Sequence, residues 1–383
     1  MLEFGAEELE AAARVLSSRQ LFRYLPDAHE ADRFEEEFAE RLGGGHALLT
    51  SSGTAALICG LTTLGIGPGD EVLIPAYGFV ADALAPLAVG AVPVVCEIDE
   101  SLTLDPADLE NKVSDRTRAI IPIHVHGMAC DMDRILAFAE RHDLAVLEDA
   151  CQAVGGTYRG RHLGTLGDAG AFSFNQHKIL TAGEGGALVT AGRDLYERAF
   201  MCHDGSGVYS RHSFSEPFHA GLAFRASEIT AAILRVQLQR LDGILAGLRK
   251  TRDRLDDALR SVGTFHGIPV HDPDGACGTN LGYRFDDPAT AKRFMSAVER
   301  SGVDAFQGVG YGHAFVEWDF IHARRGGPYP KRNPLLTTDV RHDLDSCPKT
   351  LRILERTVLL RYEPIPDQNV ADRLAAGVRE EFG

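Results

Sequence analysis

Two side chains of opposite charge stand beside apolar segments and could act together on a small ligand. Asp149 follows the apolar run at 144–147, and ligand crevices in α/β proteins open at such strand ends. Lys178 lies between the apolar segment 171–174 and a glycine-rich turn at 183–186, whereas the other five of the six lysines lie in polar contexts. Partial burial favours the nucleophilic form of an amine, so Lys178 could form a Schiff base with a carbonyl group. A solvated strand end and a structural ion pair are the alternatives.

A third feature, at residues 51–57, could hold an anion. Two serines, Gly53 and Thr54 stand directly before an apolar helical run. Free backbone N–H groups and the helix dipole would therefore face a negatively charged group, and a simple N-cap is the alternative. The chain has neither a Walker A motif nor a Gly-x-Gly-x-x-Gly fingerprint, so nucleotide binding through those devices is not supported.

Taken together, these three features match the requirements of one cofactor. An anion cradle, a strand-end carboxylate and a lysine with apolar neighbours are the groups that hold pyridoxal 5′-phosphate. The cradle binds the phosphate, the carboxylate keeps the pyridine nitrogen protonated, and the lysine bonds to the aldehyde. The pattern therefore predicts a pyridoxal phosphate site made by the first half of the chain.

At this point the sequence resembles a known family, the DegT/DnrJ/StrS sugar aminotransferases of the aspartate-aminotransferase fold (fold type I). The resemblance extends over about residues 15–245 and is weak beyond them. Because several strings occur in the family's order, the resemblance is more specific than any single motif. The strings are 52–57, 65–72, 148–152, 164–168, 172–174 with Lys178, and 183–186.

The resemblance implies a role for each matching residue. Lys178 would bond to the cofactor's aldehyde and then move the proton during transamination, and Asp149 would pair with the pyridine nitrogen. Gln152 would contact the phenolic oxygen, and Phe79 would stack on the ring, although simple core packing is the default for such an aromatic residue. The phosphate would be bound by Gly53, Thr54 and Ser173.

The resemblance also implies the reaction. A homodimer with a shared active site would transfer an amino group from L-glutamate or L-glutamine to a keto-sugar, in sugar or antibiotic biosynthesis. The acceptor would be a nucleotide-linked sugar, an octulosonate-like sugar or an inosose-like cyclic ketone. One alternative is a sugar dehydratase, but in those relatives His replaces the lysine found here at Lys178. Another is a catalytically weak cofactor-binding partner protein, because Ala223 stands where the family has an asparagine that reaches the phosphate of the partner subunit.

Several other residues are of types that often bind metals or take part in catalysis, but the sequence does not favour such roles for them. His124 and His126 lack a third ligand at sensible spacing, so we predict no metal site. Cys151 is interpreted as a small buried packing residue, and His177 as a residue that orients its loop. A region rich in glycine and aromatic residues at 308–335 predicts loops. An acceptor pocket there could be lined by Tyr311, His313, Trp318 and Tyr329.

The elements that would position these residues follow from the apolar pattern. Short apolar runs at 71–75, 92–96, 119–125 and 144–147 alternate with amphipathic stretches such as 131–142. Such alternation predicts a mostly parallel sheet covered on both faces. We therefore expect an α/β protein of fold type I. Residues 1–245 would form an N-terminal segment and a large domain with a seven-stranded sheet, and residues 246–383 a small C-terminal α+β domain.

Composition excludes several other classes. The difference between 39 basic and 55 acidic residues gives a net charge of −16, which repels phosphate backbones and argues against nucleic acid as a partner. No run approaches the roughly 18 apolar residues of a membrane span, and no secretory signal is visible. Seven cysteines without Cys-x-x-Cys spacing indicate reduced thiols. These features favour a cytoplasmic protein that binds no membrane.

Overall fold

A large sheet forms the centre of the molecule. The computed structural model describes residues 4–205, 214–215, 220–326, 333–362 and 369–382, and within them this sheet has seven strands in the order β1-β9-β8-β5-β4-β2-β3. Its strands are β1 (His46–Thr50), β2 (Glu71–Pro75), β3 (Val92–Cys96), β4 (Thr117–Ile120), β5 (Ala145–Asp149), β8 (Ala169–Ser173) and β9 (Gly186–Thr190); a separate hairpin contains β6 (Thr157–Tyr158) and β7 (Arg161–His162). Strand β9 is antiparallel to both neighbours, and every other neighbouring pair is parallel. The predicted mostly parallel, seven-stranded sheet is confirmed.

Both faces of this sheet are buried, which explains why its strands read as continuous apolar runs. Along β2, Leu73 packs into the core on one face while Val72 and Ile74 pack into the core on the other. The predicted strands 71–75 and 92–96 are confirmed. The predicted strand 119–125 is continuous only to Ile120, because Pro122 has no N–H for the ladder. Ile123 still forms an isolated parallel bridge with Asp149, and the chain then turns into a short 3₁₀ helix at Val125–Gly127.

Helices cover the sheet on both sides and contribute the N-termini that face its carboxyl edge. The predicted helix at 131–142 is confirmed as Met132–His142, with Asp131 as its N-cap. The helices are α1 (Ala6–Ser18), α2 (Glu30–Arg41), α3 (Gly53–Thr63), α4 (Ala81–Val89), α5 (Leu109–Lys112), α6 (Met132–His142), α7 (Arg193–His203), α8 (Glu228–Arg260), α9 (Pro288–Arg300), α10 (Asp319–His322), α11 (Pro334–Thr337), α12 (Pro348–Leu354) and α13 (Val370–Phe382). Among the described residues, no helix is both long enough and apolar enough to span a bilayer.

A smaller antiparallel sheet packs with α9 and α13 into a C-terminal α+β unit. Its order is β10 (His266–Gly267), β11 (Asn280–Arg284), β13 (Thr357–Arg361) and β12 (Asp304–Phe306). The α+β composition expected for the C-terminal region is therefore present. The region 308–335, predicted as loops, contains short helical turns within its described part, including α10.

One helix connects the two units. Helix α8 has 33 residues, which corresponds to roughly 50 Å at 1.5 Å per residue. Its Leu245 and Leu248 pack into the core beside the large sheet, whereas Leu255 and Leu259 pack under the small sheet. The predicted boundary at residue 245 falls within this continuous helix, and the division into domains 1–245 and 246–383 stays a prediction.

Candidate active site

A cavity of about 570 Å³ opens between the carboxyl edge of the large sheet and the small sheet. Strands β5 and β8 and the N-terminus of α3 form its inner wall, and the ends of β11, β12 and β13 form its outer wall. Carboxyl ends of parallel strands are where α/β sheets bind ligands. All of the site residues predicted from the sequence line this one cavity: Gly53, Thr54, Phe79, Asp149, Gln152, Ser173 and Lys178.

The end of the cavity that is predicted to bind an anion is the start of α3. Ser52 is the N-cap, and its hydroxyl oxygen accepts a hydrogen bond from the Ala55 N–H at 3.1 Å. A Cβ atom on Gly53 would lie 2.8 Å from both the Cys151 Sγ and the Ser173 Cβ, so the backbone here packs directly against the end of β8. Gly53, Thr54 and Ser173 all line the cavity, so the start of α3 and the end of β8 face the same space, as a phosphate cradle requires.

The carboxylate of the site is held by the end of β5. Asp149 is 4% exposed, and its Oδ1 accepts a hydrogen bond from the Cys151 N–H at 2.8 Å. Its main chain donates to the Pro122 carbonyl and accepts from the His124 N–H, so the strand end is anchored on both sides. Burial raises the pKa of the Cys151 thiol, and the Asp149 charge raises it further. Cys151 thus stays a protonated packing residue, as interpreted from the sequence.

Glu148 points to the opposite face of β5 and organises the loops beneath the site. Its buried carboxylate accepts hydrogen bonds from the Gly164, Leu166 and Gly167 N–H groups at 2.6 to 2.9 Å, and from the ring of His124 at 2.9 Å. This arrangement gives a structural reason for the string at 164–168. No cluster of metal-binding side chains occurs among the residues that the structure describes.

Lys178 lies in the loop that joins β8 to β9. The Phe174 N–H donates to the Gly185 carbonyl at 2.8 Å, and the Lys178 N–H donates to the Asn175 carbonyl at 2.9 Å. Gly183 and Gly185 have φ of 86° and 148°, values that favour glycine, which explains the glycine-rich turn. The loop leaves Lys178 half-buried on the cavity wall. His177 precedes it, exposed and also facing the cavity.

Gln152 has a fixed orientation because His126 holds one end of its amide. The His126 N–H donates to the Gln152 Oε1 at 2.9 Å, so the amide N–H groups of Gln152 remain for a cavity ligand. The His126 ring lies 2.8 Å from the Tyr77 hydroxyl. Burial and the positive charges of His313, Arg361 and Lys178 lower the pKa of His126 to about 3. His126 is therefore neutral, and it fixes Gln152 through its backbone N–H while its ring contacts the Tyr77 hydroxyl.

The outer wall is aromatic and basic. Phe79 is 47% exposed and faces the cavity, with its ring centroid 6.0 Å from that of His313. Tyr311 also lines the cavity. Trp318 does not: it is 2% exposed and packs in the core of the large sheet, so an acceptor-pocket role for it is wrong. Tyr329 lies outside the described residues.

Three cavity or near-cavity residues were missed by sequence reasoning. Arg361 ends the apolar strand β13, and a cation at a strand end is a signal comparable to that of Asp149. Asn280 starts β11 and carries no sequence signal. Asp82 lies in the first turn of α4 and is fully buried; an acidic residue within the alanine-rich segment 81–89 is the signal that could have indicated it.

Ala223 lies outside the cavity lining. It is exposed and pairs with Asp204 in an isolated antiparallel bridge. Its methyl group cannot donate a hydrogen bond to a phosphate. Among the described residues, the start of α3 and the end of β8 line the part of the cavity that is predicted to bind an anion.

The sheet topology, the C-terminal unit and the cavity at the carboxyl edge define the class: this is the fold type I architecture of pyridoxal phosphate enzymes. The chain belongs to the DegT/DnrJ/EryC1/StrS aminotransferase family, whose model matches residues 3–306. The family resemblance predicted from the sequence is thereby confirmed. Arg361 lies beyond the matched residues.

Individual relatives agree with this assignment. The chain is 41% identical over 231 residues to GDP-perosamine synthase of Caulobacter vibrioides, covering 60% of this chain and 62% of the relative. It is 39% identical over 271 residues to the L-glutamine:2-deoxy-scyllo-inosose aminotransferase of Streptomyces lividus, covering 68% and 64%. These matches span a little under two thirds of each relative. The solved structure of 3-amino-5-hydroxybenzoic acid synthase superposes with a TM-score of 0.83 at 27% identity, covering 99% of this chain and 97% of the other.

Proposed function

We propose that this chain is a pyridoxal-phosphate-dependent aminotransferase that moves an amino group from L-glutamate or L-glutamine to a keto-sugar or a related cyclic polyhydroxy ketone. One observation carries the proposal. Lys178, Asp149 and the N-terminus of α3, which are far apart in the sequence, line a single cavity. The names of the relatives support the acceptor class, since they include synthases and aminotransferases of amino sugars and amino cyclitols.

The residues present fit this cofactor. The start of α3 and the Ser173 side chain line the same cavity, where they would hold an anion, and Asp149 supplies a buried carboxylate to that lining. The phosphate would be held by Gly53, Thr54 and Ser173, and the phenolic oxygen would accept a hydrogen bond from the Gln152 amide. Phe79 would cover one face of the ring and exclude water, which strengthens the interaction of Asp149 with a cation.

When bound, pyridoxal phosphate supplies an electron sink beside the transferred nitrogen. Asp149 would keep a proton on the pyridine nitrogen, because a carboxylate in a buried site favours a paired cation. The Lys178 amine would accept the proton from the donor carbon that bears the amino group. In the second half of the reaction it would deliver a proton to the carbon of the acceptor that receives the amino group. His126 would keep Gln152 in place through the backbone hydrogen bond described above.

The amino donor would be recognised by Arg361. Its guanidinium lies over the rings of Phe306 and Tyr311, at 4.9 and 5.5 Å from their centroids, and faces the cavity. Its Nη1 is 3.6 Å from the half-exposed Asp304 carboxylate. Both proposed donors carry an α-carboxylate, and the planar fork of a guanidinium binds carboxylates with two parallel hydrogen bonds. We therefore assign the donor's α-carboxylate to this guanidinium.

Replacing Arg361 with glutamine is expected to raise the KM for glutamate or glutamine about 10- to 100-fold, because a hydrogen bond to a charged group contributes about 1.5–3 kcal/mol. The KM of the acceptor should change less than about threefold. Steady-state kinetics with each substrate varied in turn will measure both constants. Arg361→Lys, which keeps the charge but not the fork, should recover only part of the loss. A change confined to the acceptor's KM would assign Arg361 to the acceptor instead.

The reaction itself is tested by an absorbance scan of the purified protein. A band at about 410–430 nm should fall and one at about 330 nm should rise when glutamate or glutamine is added. D-Glutamine is the control, since the wrong enantiomer cannot place both its carboxylate and its reacting hydrogen correctly. No spectral change with either L-amino acid would contradict an aminotransferase. A sugar product that has lost oxygen without gaining nitrogen would indicate the dehydratase alternative.

One observation favours a second candidate. Ala223 cannot supply the phosphate contact that the family's asparagine makes, so a cofactor-binding partner protein with little turnover remains a specific alternative. It predicts binding of pyridoxal phosphate without any spectral change on addition of an amino donor.

We propose a cytoplasmic homodimer with a shared site for either candidate. The exposed apolar side chains Phe22 and Leu222 support a contact between subunits.

A further inference from the structure

A second carboxyl group lies beneath the proposed cofactor site, on a different element. Asp82, in the first turn of α4, is 0% exposed. Neither of its carboxyl oxygens has a hydrogen-bond partner among the described residues when the group is taken as ionised. An ionised carboxylate buried without a partner is among the most costly arrangements in a protein interior. The ionised form of Asp82 is therefore disfavoured by its surroundings.

The side chain of Asp82 is within hydrogen-bonding reach of the side chain of Asp149. Two carboxylates cannot bond to each other, since neither has a donor, but a proton on Asp82 turns the same contact into an O–H···O hydrogen bond. The other charged or titratable groups that act on Asp82 are Asp149 and Lys178, with Cys151 next to them. Burial raises the pKa of Asp82 and the Asp149 charge raises it further, while the positive charge of Lys178 lowers it.

We propose that Asp82 and Asp149 form an acid pair that shares one proton, in which protonated Asp82 is a positioning residue that donates a hydrogen bond to the Asp149 carboxylate. The Asp149 carboxylate is then held from two sides, by Asp82 and by the Cys151 N–H. Like charges this close cannot both ionise, so the pair keeps a single negative charge for a cationic ring nitrogen. The role of that charge in catalysis rests on the proposed function. The shared proton is proposed independently of that function.

The test begins with the apo-protein and three variants. Asp82→Asn has the same shape and a donor but no ionisation, and Asp82→Leu has neither donor nor ionisation. Asp286→Asn is the matched control, because Asp286 is exposed. Thermal and urea unfolding are measured from pH 5 to pH 9 for each protein.

Proton linkage determines how the difference in stability between Asp82→Asn and wild type changes with pH. The pKa of Asp82 is higher in the folded state than in the unfolded chain, so its protonation stabilises the folded state at low pH, and that contribution is lost as the pH rises. The Asp82→Asn variant has no proton to release at this position, so its stability does not fall with pH for this reason. Relative to wild type, the unfolding equilibrium constant of Asp82→Asn should therefore fall with rising pH, by up to about tenfold per pH unit above about pH 4. Parallel pH profiles for Asp82→Asn and wild type would overturn the proposal, and Asp286→Asn should follow wild type.

A second measurement does not depend on how well a variant folds. The infrared spectrum of wild-type apo-protein at neutral pH should contain the C=O stretch of a buried protonated carboxylic acid, and Asp286→Asn should keep it. Absence of this band in wild type would also overturn the proposal. In the loaded protein, Asp82→Leu should lose pyridoxal phosphate affinity about tenfold or more, and Asp82→Asn less than about threefold. If wild type binds no pyridoxal phosphate, the proposed function fails while the unfolding and infrared results still decide the acid pair.

Discussion

Lys178→Ala is expected to lower the rate of amino transfer by about 10³-fold or more, because it removes both the group that bonds to the cofactor and the base that moves the proton. Lys178 is half-buried in a hydrogen-bonded loop, and it lines the same cavity as Asp149 and Gln152. The rate is measured as amination of the acceptor, and the bond to the cofactor by borohydride reduction followed by peptide mapping.

The matched control for this prediction is Lys292→Ala. Lys292 is exposed on α9, outside the cavity lining, so its loss should leave the rate within about twofold. The borohydride label should be found on the peptide that contains Lys178 and on no other. A label on a different lysine, or full activity of Lys178→Ala, would refute the assignment of this residue and with it the proposed reaction.

Asp149→Asn is expected to lower kcat/KM by about 10²- to 10³-fold. Removing one partner of a buried ion pair costs about 3–5 kcal/mol, and the asparagine oxygen can still accept the Cys151 N–H, which limits the damage. The loss should fall mainly on the rate of proton transfer, since a neutral amide no longer favours a proton on the ring nitrogen. Single-turnover kinetics with glutamine will measure that step directly.

Stability separates a chemical role of Asp149 from a structural one. The melting temperature of Asp149→Asn should stay within a few degrees of wild type, because the hydrogen bonds of its main chain to Pro122 and His124 do not involve its charge. Glu148→Gln is the contrasting variant: it weakens the buried hydrogen bonds to Gly164, Leu166 and Gly167 and should lower the melting temperature. If Asp149→Asn unfolds as readily as Glu148→Gln, its loss of activity says nothing about chemistry.

The central chemistry of this protein is already indicated by its amino-acid sequence. Residue type and strand-end position indicate Asp149, and the contrast with the other lysines indicates Lys178. The small residues before α3 indicate the cradle at Gly53. These signals are local, because strands buried on both faces appear as apolar runs and helix starts as small or capping residues. The class of fold follows from the same alternation, and the strand at 71–75 is predicted to the residue.

Errors at the sequence level arise where local pattern and tertiary packing disagree. The apolar stretch 119–125 reads as one strand, but the regular ladder ends at Ile120, because Pro122 has no N–H to donate, and an isolated bridge joins Ile123 to Asp149 beyond it. Trp318 stands in a glycine-rich segment that predicts a loop over the site, yet its ring packs in the core of the large sheet. Burial of a large aromatic side chain outweighs the loop character of its neighbours, since it removes far more apolar area from water.

Which distant groups meet is determined by tertiary packing alone. Asp82 and Asp149 are 67 positions apart in the sequence, and their carboxyl groups come within hydrogen-bonding reach only in the folded chain. Arg361 reaches the cavity because the small sheet places the end of β13 opposite Asp149 and Lys178. Sequence periodicity reports which side of an element is buried, but not what it is buried against. Charge pairs across elements, and the protons they share, are therefore properties of the packed molecule.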